Sequence, residues 1–120
     1  MFIKYKNEEI ECKTTLRVAL NIQKKFKKPY MQILQDIENL GLEEQVKILF
    51  CGVELANNGI TFENFFGYVL DEIGLDELSE LLEEFINGIQ YPGLGKEEIE
   101  KKLEEKAMKQ KKMMEIGLIN

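Results

Sequence analysis

Eight carboxylates fall between Glu63 and Glu84 in the stretch FENFFGYVLDEIGLDELSELLEEF. Acids this dense could hold a cation, work as an acid–base pair, or simply face water. A calcium loop needs oxygen ligands at alternate positions around a glycine turn. The segment LDEIGLDELSE offers Asp71, Glu72, Asp76 and Glu77, but Ile73 and Leu75 stand where ligands are needed. Glycosidase-like work needs two carboxyl groups opposed across a cleft with separated pKa values, which acids on exposed helix faces do not supply. The chain has no histidine, so Ser-His and Cys-His nucleophile pairs are excluded, and its sole serine, Ser79, lies between Leu78 and Glu80. YPGLG and NNG lack the Gly-Lys-Ser/Thr signature of a phosphate loop. The residues therefore predict no catalytic group, no metal ligands and no cofactor.

Four other features could carry function. Cys12 and Cys51 lie far apart without Cys-x-x-Cys spacing, which fits a reduced thiol pair better than a disulfide or a metal site. Phe62, Phe65 and Phe66 fit core packing better than an exposed binding ridge. Lys24, Lys25, Lys27 and Lys28 flank Phe26 and read as a solvated helix end, where cations are favoured, or as a contact for phosphate or an acidic partner. Ile99, Leu103, Met108, Met113 and Met114 form a thin apolar seam on a very polar segment. Flexible thioethers there suit an adaptable partner-binding surface, with a disordered tail as the alternative.

The elements that must position these residues follow from periodicity. FIKYKNEEIEC alternates polar and apolar residues around a turn-like Asn7-Glu8, predicting a short β-hairpin. Thr14 and Thr15 are N-caps for a first helix bearing Leu16, Ala19, Leu20, Ile22 and Phe26. Pro29 suits the first turn of a second helix with Tyr30, Ile33, Leu34 and Ile37, closed by Gly41. The third, about residues 42–56, is apolar on more than one side and belongs in the middle of a bundle. Thr61 starts a fourth carrying Phe62, Phe65, Phe66, Val69, Leu70 and Ile73, with Gly74 at its close. Asp76 caps a fifth with Leu78, Leu81, Leu82, Phe85, Ile86 and Ile89. The acids fall between these stripes, on the solvated side. After the YPGLG break comes a charged helix with Glu97–Lys101, Glu98–Lys102 and Glu105–Lys109 spaced for i,i+4 pairing. The expected fold is mainly α: a compact bundle of about five helices, a short N-terminal β-hairpin and a projecting C-terminal helix. Residues 1–91 form the helical core domain with the hairpin, and residues 92–120 the charged helix or tail.

At 120 residues and 44% hydrophobic content, one modest core is the expectation. Neither a signal peptide nor a membrane span is visible, which predicts a soluble, intracellular protein. The net charge of −6 conceals a segregation. Residues 1–30 hold eight bases and three acids, residues 31–91 one base and thirteen acids, and residues 92–120 seven bases and six acids. So acidic a middle disfavours binding along a nucleic-acid backbone. The opposed ends could pair within a molecule or between copies. A small helical regulatory or adaptor protein is the competing reading, with DNA binding through a helix-turn-helix around Gly41 as one form of it. The candidate recognition helix, with one lysine and three glutamates, is too apolar for a groove.

The order of features resembles the tail assembly chaperones of long-tailed bacteriophages, or prophages, of Gram-positive bacteria. Those proteins open with a strand pair and a first helix of the pattern T-x-R/K-x-x-x-x-x-E/Q-x-x-x-x-K-P, here TTLRVALNIQKKFKKPYMQIL with Gln23 at the acidic-or-amide position. A central apolar helix follows, here EEQVKILFCGVEL, then a T-x-E/D start, here TFENFFGYVLDEIG, a leucine-rich acidic helix and a charged tail. The resemblance spans nearly the whole chain and implies a non-catalytic role. It implies binding to the tape measure protein, a long helical ruler, to keep it soluble while tail tube subunits assemble. Tail tube protein is a second implied partner and self-association a further expectation, with neither nucleic acid nor membrane involved. The implied location is the host cytoplasm, with absence from the mature virion.

Overall fold

The computed structural model describes the backbone of residues 1–119 and the side chains of residues 1–95 and 97–108. Strands β1 (Phe2–Tyr5) and β2 (Glu8–Glu11) form an antiparallel hairpin, followed by helices α1 (Leu16–Phe26), α2 (Tyr30–Gln35), a 3-10 turn (Ile37–Asn39), α3 (Leu42–Leu55), α4 (Phe62–Glu72), α5 (Leu75–Gln90) and α6 (Lys96–Ile119). The architecture is mainly α with a short hairpin, as the sequence predicts.

Register places Ile3 opposite Ile10 and Tyr5 opposite Glu8. The turn is therefore Lys6-Asn7 rather than Asn7-Glu8. Both residues have positive φ, 48° and 67°, the twist that matches a two-residue hairpin. The pairing puts Ile3 and Ile10 on the buried face and leaves Phe2 64% exposed.

Helix α3 is the axis of the bundle. It buries Val46, Ile48, Leu49, Phe50, Cys51, Gly52 and Val53, and α1, α4, α5 and β2 pack around it. Gly52 permits the closest of these approaches. A Cβ there would stand 2.5 Å from both Cys12 Sγ and the Lys13 carbonyl oxygen, and 2.8 Å from Phe85. The gap lets Lys13 N donate to Gly52 O at 3.0 Å, tying the hairpin's exit to α3. Asn58 adds a second tie: its Nδ2 donates to Glu11 O at 2.8 Å and to Val53 O at 3.2 Å.

Several local expectations shift. α1 turns Val18, Ala19 and Ile22 inward, while Leu16 and Leu20 are exposed. Pro29 occupies the N-cap of α2 rather than its first turn, and Gln23 Oε1 accepts from Tyr30 N at 3.2 Å across the α1–α2 corner. Gly41 and Gly74 are N-caps of α3 and α5, with φ of −66° and −81°, not left-handed closures of the preceding helices. Asp76 consequently lies in the first turn of α5, where its charge still favours the helix N-terminus. Thr61 does cap α4, accepting from Asn64 N at 3.2 Å.

Of the three phenylalanines of α4, Phe65 is in the core and Phe62 and Phe66 are partly buried against it. Phe65 and Phe85 are fully buried, and Phe50 packs its ring against Phe62 and Phe65 at centroid distances of 5.5 and 5.6 Å. Phe66 stacks on Phe62 at 5.3 Å. Among the described residues, no polar or charged one is buried.

At Tyr91–Gly95 the chain breaks, with Gly93 at φ 79°, and α6 departs. Every described side chain of α6 from Glu97 to Met108 is exposed except Ile99, which is half-buried. The radius of gyration is 16.3 Å, above the roughly 14 Å of a compact chain this long, and the molecule measures 55 × 31 × 27 Å. A projecting α6, about 36 Å long at 1.5 Å per residue, accounts for the excess.

Candidate functional site

The acids that raise the question of chemistry lie outside the bundle. Glu63, Asp71 and Glu72 border an open depression of about 580 Å³ near the hairpin turn, together with Lys6, Asn64 and Tyr68. Glu80, Glu83 and Glu84 border a second, deeper groove. No three His, Cys, Asp or Glu residues among the described ones gather closely enough to hold a metal ion.

The two thiols are the reactive atoms of the core, and both are held protonated. Cys12 has no exposed surface, and its Sγ lies 3.7 Å from Leu49 O. Burial pushes its pKa up to about 12. Cys51, Glu84 and Glu11 add to the rise, and the Met1 ammonium group opposes it. Cys51 is raised too, chiefly by burial, with Lys25 opposing and Glu54 reinforcing. A thiol kept neutral is a poor nucleophile and a poor metal ligand. The cysteines are free and belong to the packing.

The deeper groove, about 700 Å³, runs between α5 and the start of α6. One wall is an α5 stripe of Glu80, Glu83, Glu84, Asn87, Gly88 and Tyr91, which recur at i, i+3, i+4, i+7, i+8 and i+11. This stripe adjoins the buried one of Leu78, Leu82, Phe85 and Ile89. The other wall is Ile99, Glu100 and Leu103 of α6, with Leu94 at the bend and Met1 and Thr14 at the base. A Cβ on Gly88 would come within 2.9 Å of Thr14, so the α5 glycine sets how near the start of α1 can sit.

Of the partner-binding residues expected from sequence, Ile99 and Leu103 thus come together in one groove, half-buried and 38% exposed respectively. Met108 stands apart on the same helix, 67% exposed. Met113 and Met114 lie outside the described side chains. The pairs Glu97–Lys101 and Glu98–Lys102 do not close to ion-pair distance. Lys102 Nζ instead sits 5.6 Å from the centre of the Tyr91 ring, a cation–π contact that helps hold α6 near α5. Sequence reasoning missed the α5 wall. Its helical recurrence was legible, but acids recurring on a helix read as surface until a second helix lies across them.

The structure also bears on a DNA-reading helix. α3 would have to enter a nucleic-acid groove, yet its faces are covered by α1, α4 and α5. No helix among the described residues is long and apolar enough to cross a membrane. No family model, curated protein or solved structure matches this chain.

Proposed function

We propose that the protein works by contact rather than catalysis, as a tail assembly chaperone that binds the tape measure protein and keeps it soluble during tail tube assembly. One observation carries the reading: α6 leaves the bundle and offers Ile99, Leu103 and Met108 on a helix covered by little else of the chain. A helix whose described part, residues 97–108, is exposed on nearly every side lacks there the packed face that ordinarily stabilises one, so a partner that covers it gains most of the stabilisation available. A long helical client with apolar seams is such a partner, since helix-in-groove contact is a common way to cover them. The resemblance in layout supplies the client's identity. In this reading the protein acts in the host cytoplasm and leaves before the virion is complete. The tail tube protein is a secondary contact, and the basic first quarter and acidic middle favour self-association.

Co-expression tests the proposal. The tape measure protein should stay soluble with the full chain and precipitate with a chain ending at Tyr91. A tape measure protein equally soluble, or equally insoluble, with both would overturn the assignment of client contact to α6.

A further inference from the structure

The groove between α5 and α6 is chemically two-sided, and the two sides specify what fits it. The α5 wall presents Glu80, Glu83 and Glu84, and Glu100 brings a fourth carboxylate from across the gap. Tyr91, Leu94, Ile99 and Leu103 provide the apolar lining. The ion pairs among the described residues are Lys13–Glu11, Lys25–Glu54 and Lys47–Glu43, and none of them involves a groove carboxylate. Like charges three and four residues apart on one helix repel, so the empty groove carries an unfavourable field that a cationic occupant would relieve. An occupant without apolar side chains would leave Ile99 and Leu103 wet. One without cations would bring its own apolar surface against four carboxylates, with the Met1 ammonium group as the one cation among the described groove residues.

We infer that the α5–α6 groove docks a lysine- or arginine-bearing amphipathic helix of the client, with its apolar face against Ile99 and Leu103 and its cations against Glu80, Glu83, Glu84 and Glu100. The inference rests on the chaperone reading for the source of that helix and on the groove alone for its chemistry. The basic segment of a second copy of this chain fits less well. Phe26, between Lys24 and Lys28, is already packed against its own core, and the apolar residues that α1 leaves exposed, Leu16 and Leu20, lie one to two turns before those lysines. Selection in this groove comes from charge, and its apolar wall holds whatever charge admits.

The test titrates the full chain with two labelled helical peptides that share a leucine face and differ in bearing lysine or glutamate on the other. The lysine peptide should bind at least about tenfold more tightly, and raising salt from about 50 to about 500 mM should erase most of that margin. The combined change Glu80→Lys, Glu83→Lys and Glu84→Lys should invert the preference. These positions are exposed, so circular dichroism should be unchanged. Leu103→Asp should weaken both peptides. Equal binding of the two peptides, or a preference that survives the triple reversal, would overturn the inference. So would sedimentation showing a dimer that the triple reversal converts to monomer, because the occupant would then be a second copy. If the lysine peptide binds selectively while the tape measure protein precipitates regardless, the groove chemistry stands and the chaperone reading falls. If the triple reversal leaves client solubility intact, the groove assignment falls and the chaperone reading stands.

Discussion

Helix α3 buries seven of its fourteen residues, whereas the described part of α6 buries none and half-buries only Ile99. Both are helical, so the difference lies in what surrounds them and not in local geometry. α3 has only Glu43, Glu44, Lys47 and Glu54 as charged residues, and none between Ile48 and Val53. Apolar side chains therefore point from its middle in several directions, and each meets another element. α6 places Ile99, Leu103 and Ala107 four residues apart, a seam too narrow to anchor it. The comparison separates a part that stabilises the fold from a part available for contact. It also predicts that substitutions in the two helices will have different consequences.

The largest contrast should come from Gly52. In an ordinary helix, glycine to alanine stabilises by up to about 1 kcal/mol. In α3 the new methyl group would meet the Lys13 carbonyl and Cys12 sulfur at 2.5 Å, one of them backbone that cannot rotate away. Gly52→Ala should therefore destabilise the fold by about 3 kcal/mol, the upper range for overpacking, as read from the midpoint of urea denaturation. A neutral or stabilising result would mean that the hairpin's exit does not sit against α3.

That contact also shows where sequence reasoning stopped. The stripes of α4 and α5 were legible because Phe62 to Ile73 and Leu78 to Ile89 repeat without a gap, although Leu70 sits at the edge of the α4 stripe and is 54% exposed. α1 was harder: Leu16, Val18, Ala19, Leu20 and Ile22 occupy most of the helix circumference, and only packing against α3 selects Val18, Ala19 and Ile22. Gly41 and Gly74 lie between consecutive helices, where one glycine can close the first or open the second, and the backbone angle alone decides. The hairpin turn moved by one residue because the pairing of Ile3 with Ile10 fixes the register. At the candidate site, Ile99 and Leu103 were legible as an apolar seam. Glu80, Glu83 and Glu84 were not, since a groove is a relation between two helices and neither contains it alone.

A second contrast, of intermediate size, is set by pH. Cys12 ionises near 9.0 when unpacked and near about 12 when buried beside α3. Below pH 9 both states keep the proton, and the thiol's contribution to stability is complete. Above it the unfolded chain ionises while the folded one does not, so stability falls as pH climbs towards the folded value. The slope for one such group is about 1.4 kcal/mol per pH unit. Between pH 9 and 11 the native protein should therefore lose stability faster than Cys12→Ala by about that amount per unit, measured by denaturant titration at each pH. Cys51, raised for the same reason, contributes in the same direction. No described side chain of α6 is a buried titratable group, so shortening the chain to Tyr91 should leave this alkaline slope unchanged.

The smallest expected effect on stability is the most informative about function. Leu103 is 38% exposed on a helix that little else in the chain covers, and exposed substitutions of this kind usually fall within about 0.5 kcal/mol. Leu103→Asp should therefore leave the urea midpoint almost where it was. Leu49→Asp, at a position with no exposed surface in α3, should prevent folding outright, because it buries an unpaired charge. Yet on the proposed function Leu103→Asp should abolish retention of the tape measure protein in pull-down, while the fold that presents the groove persists. The same residue type thus holds the bundle together in α3 and, in the proposed function, meets the client in α6. A Leu103→Asp chain that unfolds would make α6 part of the core, and one that folds and still retains the client would place the contact elsewhere.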